Sequence, residues 1–291
     1  MSVEFSVVIP VLDMADSIGP CLDALLRQSL PADRFEILVV DNGSSDGTPD
    51  VVRRYPVRLL HEPVAGACNA RNRGIREASG TFIAMTDADC VPSRCWLASL
   101  AQASARGDHD IIAGPLAVLD PDASLFSRYS ATIGQYNPER TLAHPSFPYA
   151  VTGNVCIRRG LFDEVGLLNP SFPTYDGAEF FWRAAQRGPL RATVARRALV
   201  FYRTRSSLGA FLRQNFGYGL GTGRLMRHAS SENRAALSRA AVRLWRSRLA
   251  DASTFLRALP ASRSVPLALL HALRETAVTA GVLTAVLGGH P

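Results

Sequence analysis

Apolar runs and stretches of helical period alternate along the first ninety residues at the pitch of a βαβ protein. Phe5 to Leu12 is a β-branched apolar run broken by Pro10, which predicts a buried strand ending in a loop. Asp13 to Ser29 follows with helical spacing that puts Ile18, Leu22, Leu25 and Leu26 on one face. Phe35 to Val40 predicts a second strand, Pro49 to Arg54 a helix, Val57 to Leu60 a short third strand, and Gly66 to Ala78 another helix. Thr81 to Thr86 is the next strand, and it stops abruptly at Asp87-Ala88-Asp89. This alternation predicts an α/β fold with a parallel sheet, whose ligands lie beyond the carboxyl ends of the strands.

From Asp108 the pattern changes. Ile111 to Gly114 and Leu116 to Leu119 predict strands of a mixed half, with a helix at Ser124 to Gly134. Residues 206–223, with Gly217, Gly219 and Gly221, are too rich in glycine for a comfortable helix throughout. Ala235 to Leu259 is strongly helical, with leucines along one side and Arg239, Arg243 and Arg246 on another. That pattern fits an interfacial helix and equally a helix docked on its own domain. Pro260 to Pro266 breaks the chain, and Thr276 to Gly289 is the longest uncharged run after it. Such a run is short of the ~20 residues a bilayer requires, so no transmembrane helix is expected. The organisation expected is a body at 1–205, split into 1–118 and 119–205, and a basic helical C-terminal extension at 206–291.

Composition and charge narrow the possible functions. All 32 basic side chains are arginine, which excludes Schiff-base chemistry and a P-loop lysine. Residues 1–200 carry 19 Arg against 22 acids and residues 201–291 carry 13 against 3, so the tail is suited to an anionic surface. A membrane surface fits better than nucleic acid, because aromatic residues are sparse among the tail's arginines. The five cysteines form no Cys-x-x-Cys pair and fit free thiols in a reducing compartment. No basic stretch precedes the first apolar run, so no signal peptide is expected and the location expected is cytoplasmic, or peripheral on the inner face of the membrane.

The candidate chemistry sits at the predicted strand ends. Asp87 and Asp89, separated by the small Ala88, would point the same way from an extended segment and suit a hard divalent cation, Mn²⁺ or Mg²⁺. A lone Asp-x-Asp is also common as a turn former. Asp13 and Asp41 fall at two further strand ends, and three acidic positions on one edge make a site. Arg71 comes early in a helix, where its charge opposes the local dipole and calls for an anionic partner.

Four segments carry a resemblance: Ile9-Pro10 with Asp13, Val39 to Thr48 around Asp41-Asn42-Gly43, Ala70-Arg71-Asn72-Arg73-Gly74, and Thr86-Asp87-Ala88-Asp89. In order and spacing they resemble the family 2 glycosyltransferases of the GT-A fold, a Rossmann-like mixed sheet flanked by helices, over roughly residues 3–190. The resemblance implies an inverting transferase with a nucleotide-diphospho-sugar donor, usually UDP-linked. It implies that the loop at Pro10, Val11 and Asp13 wraps the base, that Asp41 holds the uracil, and that Arg71 lies near the uracil or phosphates. Asp87, Ala88 and Asp89 would meet the ribose and the metal diphosphate. Residues 1–118 would then be the nucleotide-binding half and 119–205 the acceptor half. Asn154 would hydrogen-bond an acceptor or sugar hydroxyl, Trp182 is an aromatic available to stack on a sugar, and Arg213 would approach donor phosphate.

The family places its general base in a Glu-Asp pair before a helix that carries an Arg. Aligned on Trp182-Arg183, that pair falls on Asp176-Gly177, so the acid expected as base is missing from its position. Asp176, reaching inward past a flexible Gly177, is expected to serve; Glu179 is the other candidate, although a first-turn Glu usually faces solvent or caps. The acceptor class stays open between a lipid-linked, polysaccharide or small-metabolite hydroxyl, and a homodimer is a further expectation. Two other readings stand beside this one. A nucleotidyltransferase would need a glycine-rich basic loop after the first strand, which Val11 to Gly19 lacks; a non-catalytic scaffold of the same fold would have lost its base at Gly177.

Overall fold

A computed structural model describes residues 3–134, 136–144, 148–229 and 264–287. The chain forms two compact units, one of Met1–Leu119 with Tyr136–Arg203 and one of Asp120–Gln135 with Thr204–Pro291.

The first unit is built on a seven-stranded sheet of order β3-β2-β1-β4-β8-β6-β9. Its strands are β1 Phe5–Val11, β2 Phe35–Asp41, β3 Arg58–His61, β4 Phe82–Met85, β6 Ile111–Ala113, β8 Val155–Arg158 and β9 Ala192–Val194. β5 Cys90–Pro92, β7 Leu116–Val118 and β10 Val200–Tyr202 form a second sheet in the order β5-β10-β7. β3, β2, β1 and β4 are parallel, while β8 runs antiparallel to both β4 and β6, so the sheet is mixed as expected. The helices of this unit are α1 Ala15–Leu26, α2 Thr48–Val52, α3 Ala67–Glu77, α4 Trp96–Ser104, α6 Pro138–Leu142, α7 Arg159–Val165 and α8 Asp176–Ala185, with α5 Leu125–Ile133 in the other unit.

Both faces of the sheet are covered, which is why its central strands read as unbroken apolar runs. Val7, Ile9 and Val11 pack with Ile18, Leu22 and Leu25 of α1 and with Trp96, Leu97 and Leu100 of α4. On the other face Val8, Leu38, Ile83 and Met85 meet Cys68 and Ile75 of α3 and Phe180 and Phe181 of α8. Leu26, expected on the buried side of α1, is exposed. Pro10 is tolerated in a central strand because the β1–β4 ladder has already stopped at Val8–Met85. Four of the five cysteines are buried free thiols, and Cys95 is partly exposed.

The second unit contains α5, capped by Ser124 accepting from Ser127 N, the helix α9 Leu208–Ala229, and the last helix Ser264–Leu287. Tyr129, Phe211, Leu267 and Leu270 form its apolar cluster, and the Tyr129 hydroxyl lies 2.8 Å from His271 Nδ1. The glycine-rich stretch is helical throughout, against expectation. Its glycines are where two helix backbones touch: a Cβ on Gly219 would sit 2.0 Å from Val278 O, and one on Gly281 2.2 Å from Phe216 O. Close packing gained at those positions outweighs the roughly 1 kcal/mol that each glycine costs a helix. Among the described residues no helix is long and apolar enough to cross a membrane. The amphipathic segment expected at 235–259 lies outside the described residues.

Candidate functional site

Three adjacent parallel strands end in acids. Asp41 closes β2, Asp13 follows β1, and Asp87 with Asp89 follows β4, all on the carboxyl edge of the sheet. The loops after β1 and β2 are tied together. Asp13 Oδ1 accepts from Ser45 N at 2.8 Å and from Asp46 N at 3.3 Å; Asp46 Oδ2 accepts from Ala15 N at 3.1 Å, and Met14 N donates to Thr48 Oγ1 at 2.8 Å. Hydrogen bonding from Thr48 holds the Asp46 carboxyl below its usual range. Asp41 is buried and accepts from Gly43 N and Ser44 N, each at 3.3 Å, with His61 Nδ1 3.6 Å away. Asn42 fixes the next loop, donating to Glu62 O and Val64 O and accepting from Gly66 N. Pro10 and Val11, expected in the base-wrapping loop, are instead buried strand residues paired with Val40 and Asp41, and only Leu12 and Asp13 of that group project.

Asp87 and Asp89 converge by a different route from the one their spacing predicts. Cys90 N donates to Asp87 O at 3.0 Å, so residues 87–90 form a turn, and the turn rather than an extended strand brings the acids together around the buried Ala88. Ligand atoms of Asp87, Asp89 and Cys90 all lie within 4.8 Å of one another. Burial, and then the charges of Asp87 and Asp89, push the Cys90 thiol well above its usual value, and the two carboxylates are the hard donors of the set. That donor set fits a hard divalent ion. Gly153 lies against it: a Cβ there would stand 3.1 Å from Asp87 Oδ2, so a side chain would crowd the space beside the carboxylate.

Arg71 joins this edge to α8. Its Nη2 donates to Asp87 Oδ1 at 2.8 Å and its Nη1 to Asp176 Oδ2 at 3.0 Å. The guanidinium is almost wholly enclosed, and burial opposes its charge; the carboxylates of Asp176 and Asp87 more than compensate, holding its pKa above the ordinary value. Asp176 is the first residue of α8, and its Oδ1 accepts from Gly177 N at 2.9 Å. The bend that aims it inward is at Tyr175, in the left-handed region at φ 67°, and not at Gly177, which is helical and sits against Thr152 Cγ2. Tyr175 and Asp13 are the non-glycine residues with positive φ among the described residues, and both flank this edge of the sheet. Such strain persists where surrounding structure over-determines it, and it clusters at binding sites.

Glu179 does not face solvent or cap the helix. It is fully buried, its Oε1 accepts from Arg183 Nε at 2.8 Å, and its Oε2 has no partner among the described residues. Arg183 in turn donates to Val165 O and Leu167 O, which fastens α8 to the segment after α7. Asn154 is committed to holding the fold: Oδ1 accepts from Trp96 Nε1 at 2.8 Å, and Nδ2 donates to Pro115 O and Ala198 O at 2.8 Å each. Those bonds use both of its amide protons, which leaves none for a sugar hydroxyl. Trp182 is half-buried on α8.

The Arg71 bridge escapes inspection of spacing because its partners are 16 and 105 residues away. One signal in the sequence does point to it. Cys68, Arg71, Asn72 and Ile75 share the buried face of α3, and two polar side chains on a face otherwise facing the core require buried partners. Asn72 finds its own in Leu168, by reciprocal bonds of 2.8 and 3.0 Å.

Residues 6–166 match the family described as Glycosyl transferase family 2. The chain belongs to that family. Glycosyltransferase AglE of Haloferax volcanii is 29% identical to it over 193 residues, 63% of this chain and 62% of that protein. The uncharacterized glycosyltransferase YibD of Escherichia coli is 38% identical over 91 residues, 30% of this chain and 26% of that protein. The chain thus spans less than two thirds of the length of either relative. Among solved structures, the mannosyltransferase PcManGT from Pyrobaculum calidifontis, in complex with GDP-Man and Mn²⁺, superposes with a TM-score of 0.68 at 19% identity, covering 100% of this chain and 89% of that one. Residues 1-349 of TarS from S. aureus, in complex with UDP, give 0.55 at 15% identity, covering 99% and 92%. At these identities the likeness is one of fold, and the fold is GT-A.

Proposed function

We propose that this chain is a divalent-metal-dependent, inverting glycosyltransferase that moves a sugar from a nucleotide-diphospho-sugar to a hydroxyl acceptor. The observation that carries the reading is the guanidinium of Arg71 held between Asp87 of the Asp-x-Asp turn and Asp176 at the start of α8. It joins the donor's expected diphosphate end to the carboxylate that replaces the missing family base. Asp41 and Asp87 stand two strand spacings apart, about 10 Å, which leaves room for a nucleoside between a base-recognising end and a diphosphate end. The complexes of PcManGT with GDP-Man and Mn²⁺ and of TarS with UDP support a donor of this class. The preference for UDP rests on the sequence resemblance.

Asp87 and Asp89 would hold Mn²⁺ or Mg²⁺, which when bound neutralises charge on the leaving diphosphate. Asp41 and the tied loops at Asp13 and Asp46 position the nucleoside. Arg71 gives Asp176 its orientation, and a diphosphate arriving beside Asp87 competes for the same guanidinium, freeing the Asp176 carboxylate. That carboxylate then takes the proton of the acceptor hydroxyl while the hydroxyl oxygen bonds to the anomeric carbon. The bond from that carbon to the diphosphate breaks on the opposite face, so configuration inverts. Glu179 serves as the buried anchor of Arg183, and Trp182 faces the acceptor. On the last helix, the exposed Val265, Leu269, Leu283 and Leu287 support the expected peripheral contact with an anionic membrane.

The second reading, a scaffold without transfer activity, is favoured by one observation: at Gly177 a Cβ would meet Thr152 Cγ2 at 3.0 Å and Ala150 O at 3.3 Å, so the family's base has no ready place. A thermal-shift screen of UDP-, GDP- and dTDP-sugars with and without Mn²⁺ finds the donor, and release of free nucleoside diphosphate from that donor then separates the readings. Enzyme predicts turnover that falls about 100-fold or more in Asp176→Asn. Equal rates in the native chain and the variant would remove Asp176 from the mechanism.

A further inference from the structure

A groove of about 580 Å³ lies beside the edge strand β9, between the C-terminal half of α4 and residues 193–197. In the sheet order it is three strands from β4, roughly 14 Å, so it is separate from the Asp87/Asp89 turn. Its lining includes Gln102, Arg106, His109, Glu139, Arg196 and Arg197. The charges around it do not cancel. Glu139 is taken by Arg196 at 2.6 Å. Asp110 is held by Arg158 at 2.6 Å and Arg191 at 2.7 Å, and Asp108 also pairs with Arg191. The acids on this side of the unit are therefore spent on other arginines, and Arg106 and Arg197 line the groove with no acidic partner among the described residues. Arg106 follows the end of α4, where a cation also complements the helix dipole. Arg197 has no such employment, and it comes from a different segment converging on the same space.

Two uncompensated guanidinium groups, an imidazole and an amide around a space of small-ligand size match an anion carried on a polar body. We infer that this groove is a second binding site, for a phosphate- or carboxylate-bearing saccharide, separate from the donor site. Arg106 and Arg197 grip the anionic group, and Gln102, His109 and the hydroxyl of Thr193 meet the hydroxyls. The inference does not depend on transfer activity. It stands if the chain proves to be a scaffold.

The test titrates the full chain calorimetrically with glucose 6-phosphate, glucuronate, inorganic phosphate and neutral glucose, all in EDTA so that the Asp87/Asp89 turn cannot recruit an anion through a metal. Saturable binding of glucose 6-phosphate or glucuronate is expected, weakened at least about 10-fold by Arg106→Gln with Arg197→Gln. Binding of inorganic phosphate alone would assign the site to a free anion rather than a saccharide, and would overturn the saccharide part of the inference. The two side chains are at the surface, so the same double variant is expected to bind nucleotide with Mn²⁺ as the native chain does. Absence of saturable binding by all three anions, unchanged affinity in the double variant, or equal binding of neutral glucose would overturn the inference. Loss of nucleotide binding in the native chain would instead count against the donor reading.

Discussion

Arg71 Nη1 lies 3.0 Å from Asp176 Oδ2 across 105 residues of sequence, and the same guanidinium reaches Asp87 Oδ1 at 2.8 Å. One cation thus balances two carboxylates, one of them almost fully enclosed. Replacing it with Met leaves a buried charge unpaired, which costs about 3 kcal/mol of stability, read as a lower urea midpoint. Arg71→Lys rescues only part of the loss, because an ammonium cannot fork to two partners as a guanidinium does. Adding Asp176→Asn to Arg71→Met should restore stability relative to Arg71→Met alone, since the pair is coupled. Additive losses would show that the two residues do not act on each other.

Gly74 sits on α3 one turn from Arg71, where the helix presses on β1 and β2. A Cβ there would be 2.4 Å from Val8 Cγ1 and 3.3 Å from Val40 Cγ2. These are packed β-branched side chains that cannot swing aside. Gly74→Ala is expected to lose about 2 kcal/mol despite the better helix propensity of Ala, by overpacking that lifts α3 and with it Arg71. A gain in the urea midpoint would contradict the close approach.

Asp110, away from the site, is held by two arginines, Arg158 at 2.6 Å and Arg191 at 2.7 Å. Burial alone would raise its pKa, but the hydrogen bonds from Arg191 and Arg158 outweigh burial and lower it. A lowered folded value means stability that is complete above the unfolded value of about 3.9 and is lost as pH falls through the folded one. Asp110→Asn should therefore be destabilised by about 1–3 kcal/mol at pH 7 and match the native chain at a pH below the folded value. Urea midpoints at the two pH values check this; a difference that persists in acid would assign the effect to shape rather than charge.

Much of the parallel half of the sheet was legible because its signals are local. Strand runs, the turn at Asp41-Asn42-Gly43 and the paired acids of Asp87-Ala88-Asp89 lie at the ends of regular elements whose period is short. What spacing missed depends on contacts distant in sequence. By spacing Glu179 reads as a solvent-facing helix acid, but it is buried against Arg183; Asn154 reads as a candidate sugar ligand, but Trp96, Pro115 and Ala198 take its bonds. The glycines of α9 read as helix breakers, because nothing near them in sequence shows that Val278 and Val282 need their space. Gly177 is the departure that the sequence exposed and the fold explains in part: Tyr175 supplies the bend, and Asp176 the inward carboxylate.

Acids from separate strand ends are proposed to grip a nucleotide diphosphate together with a divalent ion. Calorimetric titration of the full chain with UDP and GDP, in Mn²⁺ and in EDTA, tests it most directly when repeated on Asp89→Asn. Saturable heat is expected with at least one nucleotide in Mn²⁺, none in EDTA, and affinity at least about 10-fold weaker in the variant. Binding that is indifferent to both EDTA and Asp89→Asn would contradict it.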